Sequence, residues 1–412
     1  MSLPSLLLIP DRYKATKLYS QLPQSGAGDM VATRATTATR VNPAGLIEVV
    51  GIDVPRIDYT GGGCPSLLIE QAATNLLLHS EEFDNVYWSK PNLTVTADAA
   101  VAPDGTTTMD NIVPTAVSGQ HRVDRSTTST NQIHTLSIFA KANGYNFISL
   151  RMDTIGASFN LATGMVEGSV NPGVTARISE TFTGSGIWRV SITALAAVNA
   201  IVRYSVGSTS GIAPTFTGDG VSGVLFWGAQ FELAPFVTSY IPTVASTVTR
   251  SADIVTLAGA TALIGQTAGT IFVEALYNAS IDSIADDQPI IVVGTDANNS
   301  SSILLQGSTG ANPNRVIGRT FNGGVSQALI VSPNAQVSGV IKIAYTYTAN
   351  SFKLFVNGVK VGEDLSGTLP TGGNIFFGNF DASGALFTIR LNAASLEKIV
   401  ISEAEAIALT TI

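Results

Sequence analysis

One cysteine, Cys64, stands in a chain of 412 residues. A disulfide framework within the chain and a thiolate metal cluster are both excluded, and folding in a reducing compartment is expected. Histidine is nearly as scarce: His79, His121 and His134 form neither an HxH nor an HExxH pattern. With no GxSxG and three dispersed imidazoles, the chain offers no Ser-His-Asp set. Charge is thin as well. Asp, Glu, Lys and Arg make up 13% of the residues, about half the usual share of roughly 25%. The balance is 22 basic against 30 acidic residues, a net charge of -8, with no run of Lys or Arg. A surface that reads phosphates needs clustered positive charge, so no nucleic-acid partner is expected. Long apolar runs are missing too. Leu6 to Ile9 is bounded by Pro4 and Pro10 and has no basic flank, so neither a signal peptide nor a membrane segment is expected.

What remains is apolar and uncharged-polar. Apolar residues form 45% of the chain, enough for sizeable cores, and the length suits two or three domains. Thr, Ser, Asn, Gln and Gly must then cover the surface, which suits an exposed protein meeting sugars or other protein faces. Short β-type runs follow one another with almost no helical periodicity. His134–Lys141, Asn146–Met152, Trp188–Thr193, Ile201–Val206 and Val221–Leu233 form one series. Thr270–Tyr277, Gln288–Val293, Val316–Phe321, Val340–Thr348 and Ser351–Val356 belong to a second. Gly, Asn, Pro or Asp bounds each run, supplying positive φ or local turns. Such spacing without amphipathic helices indicates sandwiches or jelly rolls. Asn357-Gly358 and Asn322-Gly323 read as type I′ hairpin turns, and an Asn143-Gly144 turn precedes Tyr145. Ser402 to Glu405 reads as a capping box that opens one short terminal helix.

The fold class is therefore all-β: two β-sandwich (jelly-roll) domains after a short extended N-terminal attachment segment. The divisions are 1–60 for the attachment segment, 61–246 for a jelly roll and 247–412 for a second sandwich. Pro242 and the TVASTVTRSAD stretch mark the linker between the sandwiches. Residues 1–60 carry five prolines and few strand signals, so ordering by a partner is expected.

The stretch Ala38–Lys90, with TRVN, GLIE, PRIDY, CPSLLIE and TNLL, resembles the head-to-domain junction of a tailed-bacteriophage head-spike or fibre family. FNLATGMVEGSV, GIWRVSIT and FWGAQFELAPFVTSYIPT resemble its closing half. FKLFVNGVKV and LEKIVISEAEAIALT are similar to a laminin-G or concanavalin-like sandwich. Gln71-Ala72-Ala73 departs from the family's usual Pro and Arg before Thr74-Asn75. The resemblance implies a carbohydrate-binding-module-like jelly roll followed by that sandwich, located in the virion and exposed on the particle surface. It implies a homo-oligomer that meets other virion proteins through its N-terminal segment and host-surface polysaccharide through its loops. The alternative is a capsid decoration or collar protein with no glycan ligand.

Catalysis is not expected, because the acidic pairs Glu81-Glu82, Asp286-Asp287 and Glu403/Glu405 stand in turn or helix-end contexts. Trp88, Trp188 and Trp227 lie within strand motifs and read as core filler. Tyr145, Arg315, Asn322 and Asp381, at or near turns, are the candidate glycan contacts. No cofactor is expected. Asp282, Asp286 and Asp287 form an acidic loop that could hold a structural calcium, against the plainer reading of solvated loop residues. Cys64, in the GGGCPS turn, is expected to be a packed, inert thiol.

Overall fold

Two large apolar cores divide the chain, and they do not follow each other in sequence. The structure, a computed structural model, describes residues 3–180, 184–277, 287–307, 314–336, 339–381, 383–384 and 387–412. It is all-β, with a single α-helix, Glu403–Thr410, among the described residues.

The first sandwich joins the two ends of the chain. Its eight-stranded sheet runs Val359–Asp364, Ser351–Val356, Gly339–Thr348, Ala268–Tyr277, Ile389–Glu397, Ser66–Ile69 and Ile57–Asp58. Leu6–Leu8 lies against Ile389–Glu397 as well, end to end with Ser66–Ile69. The facing nine-stranded sheet runs Tyr13–Lys14, Lys17–Leu18, Met30–Thr33, Ile254–Leu257, Asn374–Phe377, Gln288–Asp296, Asn299–Leu305, Arg315–Asn322 and Val325–Ala335. Strands of residues 6–33 and 57–58, within the stretch 1–60 expected as an attachment arm completed by another protein, are instead built into this sandwich, and the hairpin Ala38–Val41/Ile47–Val50 forms a sheet of its own. The reason is apolar. Leu6, Leu8, Leu18 and Met30 are each 0% exposed and share one core with Ile271, Ile343, Phe352 and Leu396. Alternation within short strands supplies these contacts, as the Met30–Thr33 pattern of buried and exposed residues shows.

The second sandwich is inserted between Ser66–Ile69 and Ile254–Leu257. Its six-stranded sheet runs Leu93–Val101, Thr107–Pro114, Gly223–Glu232, Gln132–Asn143, Trp188–Ala196 and Thr175–Glu180. The five-stranded sheet opposite runs His121–Ser126, Ile201–Gly207, Phe147–Met152, Ile155–Asn160 and Met165–Val170. Trp88, Phe83, Phe226 and Tyr204 fill the space between them. Gly223–Glu232 is buried along its whole length. Its second face carries Leu225 and Trp227, which pack with Phe139 and Tyr240 beneath the hairpin Ala38–Val41/Ile47–Val50. Entry and exit strands pair with each other: Ala73–Asn75 runs antiparallel to Val248–Arg250. That two-stranded stem carries the inserted domain.

Turn chemistry explains the hairpins. Asn357 (φ 48°) and Gly358 (φ 79°) both adopt the left-handed region, as a type I′ turn requires. The other hairpin turns one residue later than expected. Gly323 (φ 59°) and Gly324 (φ 75°) are its central pair, because two adjacent glycines accept positive φ more readily than Asn-Gly. Asn322 instead closes the ladder opposite Val325. Ser402 Oγ accepts from the Glu405 amide and Glu405 reaches back to Ser402, the capping box read from sequence.

Candidate functional site

Where the inserted domain meets the terminal sandwich, a cleft of about 500 Å³ opens. Several parts of the chain line it, among them the Ala38–Val50 hairpin, the Asp58–Glu70 stretch, the neighbouring strands that carry Glu180 and Arg189, the return segment Phe236–Tyr240, and the strand that carries Arg390. Such inter-domain clefts are where ligands most often bind.

Behind the cleft lies a buried charge network. Arg56, 0% exposed, donates to Glu70 Oε2 (2.6 Å), Ser239 Oγ (2.9 Å), the Thr39 carbonyl (3.2 Å) and Asp253. Arg34 donates to the other Asp253 oxygen at 3.0 Å, and Arg250 Nη2 lies 3.5 Å from Glu70. Burial alone would push the Glu70 carboxyl up, but Arg250 and Arg56 overcome it and hold the group far below the carboxylate range. The same happens at Asp58. Burial is outweighed by Arg390 at 3.1 Å and by the Val41 and Thr60 amides, so the carboxyl titrates below its ordinary value. All these residues flank the points where the chain leaves and re-enters the terminal sandwich.

Arg189 differs from its neighbours. Arg40 is paired with Glu48 at 2.7 Å and Arg390 with Asp58, whereas Arg189 forms no ion pair among the described residues. It donates to the Thr238 carbonyl (2.7 Å) and Ser137 Oγ (3.3 Å) and stacks on Phe139 at 5.0 Å. Its Nε has no partner, and neither does the buried Thr388 Oγ1 across the cleft. Burial pulls the guanidinium down to about 10, which still leaves it charged at neutral pH. The wall thus combines one cation that has no ion pair among the described residues with the Glu180 carboxylate, the hydroxyls of Thr39, Thr60, Ser179 and Thr388 and the ring of Phe236. That set suits a hydroxyl-rich ligand that also carries negative charge.

A second cavity, about 490 Å³, is acidic, with Glu81, Glu82, Asp84, Asp98 and Asp110 on its wall. Asp110 is pushed up to about 6 by burial, against hydrogen bonds from the Asp98 and Phe83 amides at 3.1 and 2.6 Å. Both of its oxygens are thereby engaged in holding backbone. Glu81 accepts from Tyr240 Oη at 2.8 Å, so it is not the freely solvated group its turn context implied. No group of three or more potential ligand side chains is placed to hold a metal ion among the described residues.

The residues singled out in the sequence do not converge. Tyr145 is half-buried in the inserted domain, edge-on to Phe216 at 5.1 Å, and its hydroxyl accepts from the Asp219 amide. Arg315 and Asn322 close opposite ends of one strand in the terminal sandwich, and Asn322 donates to Thr368 Oγ1 (2.9 Å). Asp381 is exposed and accepts from the Ser383 amide. Asp282 and Asp286 lie outside the described residues. Asp287 pairs with Arg319 at 3.8 Å and caps the Gly307 amide. Cys64 is exposed, not packed, because Gly61, Gly62 and Gly63 all take positive φ and carry it outward. Trp88 and Trp227 are core residues, and Trp188 is half-buried with its ring over Gly164. Arg189, Arg56, Asp58 and Glu70 were not singled out. In a chain so poor in charge, Arg56 and Asp58 within PRIDY and Glu70 at the end of SLLIE were the available signal.

No protein-family model matches the chain, and no curated protein sequence does. Solved structures share parts of its strand arrangement. The carbohydrate-binding module CBM40 of Ruminococcus gnavus IT-sialidase, bound to alpha2,3 sialyllactose, is similar at 17% identity and TM-score 0.29, over 36% of this chain and 84% of that one. The K499G mutant of NanB sialidase from Streptococcus pneumoniae gives 13% identity and TM-score 0.30, over 37% of this chain and 25% of that one. A heptameric SAP-like pentraxin from Limulus polyphemus gives 10% and 0.26, over 35% of this chain and 70% of that one. At these scores the likeness carries no argument about ligand or role.

Proposed function

We propose that the protein is a non-catalytic, glycan-binding structural protein of a tailed-bacteriophage particle, holding host-surface polysaccharide in the cleft between its two sandwiches. The observation that carries the reading is Arg189: a charged guanidinium with no ion pair among the described residues and no partner at Nε, in a cleft of about 500 Å³ lined also by hydroxyls, the Phe236 ring and the carboxylates of Asp58, Glu70 and Glu180. Hydroxyl-rich ligands are held by such convergent donors, and repetition in a homo-oligomer turns weak single-site affinity into adhesion. The phage setting rests on the signature-like Ala38–Lys90 stretch, whose Asp58 and Glu70 line the cleft and whose Arg56 is buried behind it. Other virion proteins would be its assembly partners.

Binding without cleavage is favoured by the cleft's carboxylates. Glycoside hydrolysis needs one carboxyl that keeps its proton; of the three carboxylates on the wall, Asp58 and Glu70 are held ionised by arginines and Glu180 accepts from the Gly186 amide at 3.0 Å. The test is a glycan array and a host-cell binding assay with the full chain and with Arg189→Gln. The reading expects binding that weakens in the variant and leaves the polysaccharide intact. Blank results in both assays would support a decoration protein without a glycan ligand. Release of oligosaccharides would establish an enzyme.

A further inference from the structure

The outer face of the five-stranded sheet carries more positive charge than its own groups neutralise. Strand alternation turns Val123, Val202, Tyr204 and Leu150 into the core. The opposite face therefore presents Arg122 and Asp124, Arg203 and Ser205, Ser149 and Arg151. Register aligns them across the strands: Asp124 stands opposite Arg203, and Arg203 opposite Arg151. Arg122 stands opposite Ser205 and Ser205 opposite Ser149. Three guanidiniums thus surround one carboxylate.

One oxygen of that carboxylate is already committed, and the buried Oδ1 has an ion-pair neighbour but no hydrogen-bond partner among the described residues. Arg122 Nε donates to Asp124 Oδ2 at 2.7 Å, and Arg203 Nε lies 3.7 Å from Oδ1. Gln120 Oε1 accepts from both Arg122 Nη1 (3.2 Å) and Arg151 Nη2 (3.1 Å), holding these two cations side by side. Arg203 also donates to the Asp153 carbonyl. Arg151 is only 9% exposed, forms no ion pair among the described residues, and has no partner at Nε. Ser205 Oγ, 0% exposed, has none either. A guanidinium buried beside two others costs free energy that a single shared carboxylate does not offset. An oxyanion set against these donors supplies the missing negative charge and the missing acceptors. Arg122, with 30% of its side chain exposed, leaves the group open to solvent at one rim.

We infer that this face is an oxyanion-binding site, taking the carboxylate or phosphate groups of an acidic polysaccharide on Arg122, Arg151 and Arg203. It is separate from the cleft, and only the identity of the carrier rests on the glycan reading.

The test uses the full chain as wild type, as the double variant Arg122→Gln/Arg203→Gln, and as the cleft variant Arg189→Gln. Calorimetric titration with oligogalacturonate and with neutral maltodextrin is joined by thermal shift in inorganic phosphate. The site predicts oligogalacturonate binding, or stabilisation by phosphate, that falls about tenfold or more in the double variant. Measured in the Arg189→Gln background, where the cleft cation is absent, the double change produces the same drop. Raising salt from about 50 to about 200 mM weakens it, as exposed charge pairing requires. Arg122→Lys/Arg203→Lys, which keeps the charge, restores part of the response and separates lost charge from lost folding. Phosphate stabilisation without sugar binding supports the anion site while removing polysaccharide as its carrier in the cleft reading. No response to either anion, or equal responses in wild type and double variant, would overturn the inference.

Discussion

Replacing Arg56 by Met tests whether the buried network fixes the two sandwiches to each other. Arg56 is 0% exposed and serves four acceptors on four separate segments: Thr39, Glu70, Ser239 and Asp253. Met fills much of the volume but returns nothing to Glu70 or Asp253. Among the described residues, those carboxylates would keep only Arg250 at 3.5 Å and Arg34 at 3.0 Å as ion-pair partners. Removing one member of a buried pair typically costs about 3–5 kcal/mol, because the survivor stays buried and under-compensated.

The measurement can resolve which domain suffers. Trp88, Trp188 and Trp227 all lie in the inserted domain, so tryptophan fluorescence follows that domain alone. Far-ultraviolet circular dichroism follows both. The network joins the stem to the terminal sandwich, so in Arg56→Met the dichroism transition moves to lower urea by about 3–5 kcal/mol. The fluorescence transition should move far less. Acid adds a second reading. Glu70 is depressed in the folded protein from its ordinary 4.5, so its contribution is complete above that pH and is lost as pH falls below it. Glu70→Gln should remove that acid-sensitive part. A loss under about 1 kcal/mol in Arg56→Met, with an unchanged acid limb in Glu70→Gln, would refute a network that holds the junction.

Residues 3–58 should resist limited proteolysis as well as the sandwiches do, as intact-mass analysis would show. Deleting residues 1–33 removes Leu6, Leu8, Leu18 and Met30 from one core, each at roughly 1.5–3 kcal/mol, and should remove the terminal sandwich's share of the dichroism transition while tryptophan fluorescence still reports a folded inserted domain. Cys64 should react fully with a maleimide in the native protein, and Cys64→Ser should shift stability by no more than about 0.5 kcal/mol. Asp110 binds its proton more tightly folded (about 6) than at its ordinary 3.8, so its contribution is complete below that lower value and is lost as pH rises through about 6. The fluorescence-detected stability should fall over this window in wild type and flatten in Asp110→Asn.

Strand content and the two sandwich cores were legible because both rest on local signals, period-two alternation and Gly or Asn turns. The placement of residues 1–60 was not. Leu6–Leu8 is three residues long and its partner is Ile389–Glu397, a pairing separated by almost the whole chain. Nothing in a three-residue strand tells its neighbour's address, and the prolines around it read as an unstructured arm. The Asn322-Gly323 turn slipped by one residue because Gly324, the stronger positive-φ competitor, stood next to it. The candidate glycan residues were chosen for proximity to turns, a local property, whereas Arg189 matters because segments distant in sequence close around it.

The insertion gives the buried charges a role that apolar residues could not fill as well. Two sandwiches joined only by a two-stranded stem could pivot, since Ala73–Asn75 and Val248–Arg250 pair over just three residues each. An apolar contact at the stem's base would tolerate several angles, because it has no direction. Arg56 does not: its donors reach Glu70 beside the entry strand, Asp253 beside the exit strand and Ser239 on the cleft wall. Satisfying all of them at once selects one orientation. The terminal hairpin strengthens this choice, as Thr39 Oγ1 donates to the Tyr240 carbonyl at 2.6 Å and the Ile47 amide to Pro103 at 2.9 Å. The cleft therefore owes its shape to charges buried behind it, and the affinity of Arg189 for any ligand depends on residues the ligand never touches.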